Sequence, residues 1–173
     1  MIRRQISTAV PIYIAIYIFQ EALINQFRLP WGGFSLLLIV CLIWAILSSP
    51  EIAALGGFIS GVLMDLSQSS SGPIGQWTLL MVTASCAVSY LGSGSENLSD
   101  NPLGFTFLTT SAIVLLEIAY LTTGALLGVT VGGLRHILFT LIGISIWSML
   151  VTPLVLPIFS RLHAFTFDTR SAL

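Results

Sequence analysis

The chain has 173 residues, of which 55% are hydrophobic and only 8% are Asp, Glu, Lys or Arg, and its net charge at pH 7 is -1. A soluble domain carries about a quarter charged residues, so this chain lacks the polar surface that keeps a globular protein in water, and lipid is the expected solvent for most of it. The near-neutral balance also excludes a polybasic nucleic-acid binder. There is no Lys, and the six basic residues are all Arg.

About 20 apolar residues cross a hydrocarbon core of ~30 Å. Six stretches approach or exceed that length, at residues 6–26, 31–49, 51–67, 74–92, 103–129 and 134–158. The first follows Met1-Ile2-Arg3-Arg4, contains Pro11, and ends in Asn25-Gln26-Phe27-Arg28 with no small-x-small cleavage site, which reads as an uncleaved anchor. Leu29-Pro30 closes the connection to the second. Ser49-Pro50-Glu51 then supplies a capping Ser, a Pro at the first helical position and an acid in the first turn of the third.

The polar run from Ser67 to Gly75 separates the third and fourth stretches, Asp100-Asn101-Pro102 repeats the cap-then-proline arrangement before the fifth, and Gly132-Gly133 divides the fifth from the sixth. Pro153 and Pro157 are expected to kink or end the sixth helix, leaving a polar tail from Arg161 to Leu173. Short connections place successive helices antiparallel, so the expected fold is one all-α transmembrane domain of six helices spanning residues 1–173.

With the N-terminus inside, Arg3, Arg4, Arg161 and Arg170 lie on the cytoplasmic side and Arg28 and Arg135 outside; the positive-inside rule prefers this orientation, with both termini cytoplasmic. Trp31 and Trp77 then fall at the outer interface, and Trp44 and Trp147 elsewhere. Cys41 and Cys86 lie in apolar runs and read as small buried hydrophobes, not as a disulfide or metal pair.

The most informative stretch is Gly56-Gly57-Phe58-Ile59-Ser60-Gly61-Val62-Leu63-Met64-Asp65. Gly57, Gly61 and Asp65 recur every four residues, so one helical stripe carries two bare backbone positions and then a carboxylate. Such glycines admit a close helix, either from the same chain or from a partner. Asp65 stands at the end of its helix where the macrodipole disfavours a negative charge, and it needs a partner within the bundle.

Glu21 and Glu117 are the other intramembrane acids. All three fall in the outer half of the bundle, where Arg28 and Arg135 are the available ion-pair partners, so the expectation is a buried ion-pair network or an acidic, outward-open cavity. Glu21 is near enough to the interface to snorkel; Glu117, set among Leu115, Leu116, Ile118 and Ala119, is not. Gly124 and Gly128 form a further small-xxx-small pair, and His136 and His163 read as isolated residues, not ligands. No HExxH, phosphate-binding glycine loop or G-x-S-x-G is present, and Gly92-Ser93-Gly94-Ser95 has the wrong spacing for the last. Neither catalysis nor a cofactor is expected.

The pattern G-F-x-x-G-x-x-x-D from Gly57 to Asp65, followed by Gly75-Gln76-Trp77-Thr78-Leu79, resembles the signature region of the rod shape-determining MreD family, as do the chain length and hydropathy profile. The resemblance implies a fold similar to the substrate-binding components of energy-coupling-factor vitamin transporters, six helices around an outward pocket in the bacterial cytoplasmic membrane. It also implies a non-enzymatic role: binding the single-pass protein MreC within the elongation machinery of actin-like MreB, a shape-elongation glycosyltransferase and a class B penicillin-binding protein, and so helping to organise peptidoglycan synthesis and cell shape. Gly57, Gly61, Asp65 and Gly75 match the motif, and the surface beside Asp65 is then expected to receive MreC.

Two other readings compete. A vitamin transporter's substrate-binding component would show an A-x-x-x-A patch on the first helix, whereas Ala9 and Ala15 are six apart. A cation-coupled secondary transporter would use Asp65 and Glu117 as ion sites, but the chain shows no internal repeat.

Overall fold

The computed structural model describes residues 2–27, 30–67, 72–93, 101–129 and 132–167. Within these residues the chain is all-helical and has no strand. Six α-helices follow one another: α1 (Ile2–Ala22), α2 (Leu36–Leu47), α3 (Pro50–Asp65), α4 (Gln76–Ser93), α5 (Pro102–Leu126) and α6 (Leu134–Phe167). Short 3-10 turns at Ile24–Phe27 and Pro30–Gly32 join α1 to α2.

The organising element is α2. Every residue from Leu37 to Ile46 is buried, and a helix that is apolar all round belongs in the middle of a protein. The other five helices contact it, with α3, α4 and α6 packed most closely. At 12 residues it is about 18 Å long, shorter than the expected stretch 31–49, because Pro30–Gly32 turns and Ser35 caps the helix from inside the bundle.

The outside of the molecule is apolar and part of the inside is polar. Leu103, Phe107, Leu115 and Leu126 of α5 and Leu134, Leu138, Ile142, Leu150 and Leu154 of α6 are exposed, while Ser60, Ser85, Ser89, Thr109, Ser148 and Thr152 are buried. Two segments, Pro102–Leu126 and Leu134–His163, are long and apolar enough to cross a membrane, and only 17% of the most apolar stretch of the second is buried. The core helix of a soluble protein would show the reverse.

The helix boundaries depart from expectation at α6. Pro153 and Pro157 do not end it: it runs 34 residues to Phe167, so the part of the polar tail from Arg161 to Phe167 is helical. Contacts to α2 hold this extension. The Trp44 indole N–H donates to the Phe159 carbonyl at 3.2 Å, and the His163 ring meets the Ser48 hydroxyl at 2.9 Å and the edge of Trp44 at 5.9 Å. His163 is therefore not isolated.

Gly124 and Gly128 do not form a packing pair. Gly128, at φ +83°, ends α5: its N–H donates to Ala125 and that of Val129 to the Gly124 carbonyl, the paired bonds of a Schellman turn. Ser49 occupies the N-cap of α3 ahead of Pro50, but its side chain makes no capping bond. Asn101 does cap α5, accepting from the Gly104 amide at 3.2 Å.

Candidate functional site

The stripe of Gly57, Gly61 and Asp65 faces α4 of the same chain. A Cβ on Gly57 would lie 2.6 Å from the Met81 carbonyl oxygen, and one on Gly61 would lie 2.5 Å from the Thr78 Cα. At these positions the backbones of the two antiparallel helices touch, and any side chain would have to push them apart. The adjoining Gly56 faces α1, where a Cβ would meet the Tyr13 hydroxyl at 2.9 Å.

Asp65 completes the contact. Its carboxylate accepts from the Trp77 amide at 3.1 Å, the Thr78 amide at 3.0 Å and the Thr78 hydroxyl at 2.5 Å. Trp77 and Thr78 are the second and third residues of α4, the amides that an N-cap side chain ordinarily satisfies. Gly75 occupies the cap position at φ +96°, has no side chain to offer, and adopts a conformation that L-residues rarely take. Asp65 thus caps a neighbouring helix. The α3 dipole that opposes its charge is offset by the positive end of α4.

The same device appears at α2. Gln20 of α1, buried, accepts from the Leu37 amide at 2.8 Å and the Ser35 hydroxyl at 3.1 Å, while Ser35 accepts from the Leu38 amide at 3.3 Å. Between the two caps a small polar cluster ties three helices together. Ser60 of α3 donates to the Cys41 sulfur of α2 at 3.0 Å, and Cys41 meets Ser85 of α4 at 3.6 Å.

The three acids stand at three separate places among the described residues. Asp65 is satisfied by α4. Glu21 is half-buried and accepts from the Ser67 hydroxyl, so it ties α1 to the residues after α3. Glu117 lines a cavity of about 220 Å³ between the start of α4, α5 and α6, together with Gln76, Tyr120, His136 and Thr140. Of the three acids it alone borders that cavity. Arg135 is exposed, with its guanidinium 5.7 Å from the centre of the Phe139 ring, and among the described residues it pairs with no acid. Arg28 lies outside the described residues.

Trp77 does not lie on the outer surface of the bundle. It is buried and stacks on Tyr120 at 4.3 Å and 18°, which places one wall of the Glu117 cavity directly behind the Asp65 cap. Trp31 is exposed. Among the described residues no group of three His, Cys, Asp or Glu side chains could hold a metal ion.

No family model, curated protein or solved structure matches this chain. Its function is read from the residues alone.

Proposed function

We propose that this chain is a non-enzymatic, multi-pass protein of the bacterial cytoplasmic membrane, an MreD-type subunit that binds MreC and helps to organise the elongation machinery. The observation that carries the reading is that Gly57, Gly61, Asp65 and Gly75, the residues matching the family signature, act as one unit. Two glycines bring α3 against α4, the acid caps α4, and the glycine at the cap position leaves the amides free. A motif that builds the bundle explains why those residue types stand at that spacing.

Because the stripe is used inside the chain, MreC needs another surface. The best fit is the apolar groove between α4 and α5, lined by Ala84, Ala87, Ser111, Ala112 and Ala119 and rimmed by Leu91 and Leu115. Small residues on neighbouring helices admit a third helix at close range, and the single membrane helix of MreC is the occupant we assign to it. The exposed apolar faces of α5 and α6 support all six helices lying in lipid in a fold like that of the energy-coupling-factor substrate-binding components.

Co-expression with a tagged MreC in a bacterial membrane, followed by detergent extraction, tests the reading. Recovery of a stoichiometric pair is expected; recovery no greater than with an unrelated single-pass protein would exclude it. One observation favours a second reading, a membrane protein that binds a small solute: the cavity at Glu117 is already open in the isolated chain.

A further inference from the structure

The cavity at Glu117 is bordered by two acceptors that have no partner among the described residues. Gln76 is only 7% exposed. Its amide nitrogen donates to the Tyr120 carbonyl and to the Thr123 hydroxyl oxygen, both at 2.7 Å. The carbonyl can only accept, and the Thr123 proton is already given to the Ala119 carbonyl at 2.7 Å, so the orientation of the Gln76 amide is fixed. Its oxygen, Oε1, is therefore an acceptor, and it is buried without a partner. Glu117, one turn before Tyr120 on α5, borders the same space and has no hydrogen-bond or ionic partner among the described residues.

A buried amide oxygen left unsatisfied costs free energy, the half-buried Glu117 carboxylate lies beside it, and the cavity leaves room for something to meet both. A Cβ on Gly72 would lie 2.6 Å from the Tyr120 hydroxyl and would press on Gln76 Oε1, so the glycine keeps that corner open. Ile137, Leu141 and Ile144 make the opposite wall apolar. The Tyr120 ring also lines the space, and its stacking on Trp77 holds it in place. Arg135, the nearest basic residue in sequence, keeps its guanidinium over Phe139.

We infer that this cavity is a binding site for a small protonated primary amine with a short apolar body. The ammonium group carries three donors and no acceptor, which suits the Glu117 carboxylate, Gln76 Oε1 and the Thr140 hydroxyl. The Tyr120 ring supplies a face for the cation, and the aliphatic wall takes the hydrocarbon. A cavity of about 220 Å³ fits a short alkyl chain or a single ring. The site is independent of the groove assigned to MreC, and its test uses this chain alone.

The purified chain in a non-ionic detergent is titrated by calorimetry with n-pentylammonium chloride and, separately, with n-pentanol, its neutral counterpart of nearly equal size. Trp77 fluorescence is read in parallel, because that ring stacks on the cavity wall. Saturable binding of the amine is expected, weakened about ten-fold in Glu117→Gln, which keeps the shape and removes the charge; the alcohol is expected to give no saturable signal. Circular dichroism and gel filtration confirm that Glu117→Gln is folded. Three results would each overturn the inference: no saturable amine binding to the native chain, an alcohol that binds as well as the amine, or a Glu117→Gln affinity within two-fold of the native value.

Discussion

The carboxylate of Asp65 takes both the amide and the hydroxyl of Thr78, thirteen positions further along the chain and on the next helix. A residue that ends one helix thereby starts its neighbour. The two glycines preceding it in the stripe set the distance at which this is possible, since each contacts α4 with no Cβ between them.

Removing the cap should therefore destabilise the α3–α4 pair. Asp65→Ala is expected to lower the unfolding free energy in mixed micelles by about 2 kcal/mol, the cost of a lost N-cap with charge-assisted bonds. Asp65→Asn, which retains one acceptor oxygen, should lose roughly half as much. Equal stability of the native and Ala forms would show that the cap contributes nothing.

The glycines separate two kinds of constraint. At Gly61 the obstacle is space, because an added Cβ would sit 2.5 Å from the Thr78 Cα; Gly61→Ala should cost about 1–3 kcal/mol by overpacking. At Gly75 the surroundings are open but φ is +96°, so Gly75→Ala should cost about 1–2 kcal/mol through backbone strain alone. Gly133→Ala, with open space and no unusual φ, serves as the neutral control. Thermal unfolding in detergent checks all three, and an unaffected Gly61→Ala would mean that the helices stand further apart.

Much of this was legible in the sequence. The chemistry of the motif required a carboxylate partner at the C-terminal end of α3, and the four-residue spacing placed Gly57, Gly61 and Asp65 on one face. Which helix that face met was not legible, because a stripe of small residues accepts any close helix. The caps from neighbouring helices were missed for a related reason. Gln20 and Gln76 are polar residues at the ends of apolar runs, where sequence alone suggests an interface with water, and only three-dimensional proximity reveals the amides of α2 beside Gln20 and the carbonyl of Tyr120 beside Gln76. The length of α6 is not legible because a proline's missing N–H is compatible with a kink or an end, and only the contacts from Trp44 and Ser48 show the helix held beyond it.

Gln20 offers a local test of capping between helices. Gln20→Ala removes the acceptor of the Leu37 amide while Ser35 still serves Leu38. Hydrogen exchange should rise at the first turn of α2 and remain unchanged at the first turn of α4, with a stability loss of about 1 kcal/mol. Uniform protection across both turns would contradict it.

On the proposed reading labour is divided: the glycine–aspartate stripe builds the bundle, and the α4–α5 groove is the surface offered to MreC. The direct measurement is parallel unfolding and MreC co-purification of Asp65→Ala and Ala87→Leu, with recovery taken from the monodisperse fraction. Asp65→Ala should be less stable yet recover MreC at the native ratio, whereas Ala87→Leu, an exposed position in the groove, should keep native stability and lose MreC. Loss of MreC from a fully stable Asp65→Ala, together with native recovery by Ala87→Leu, would contradict the account.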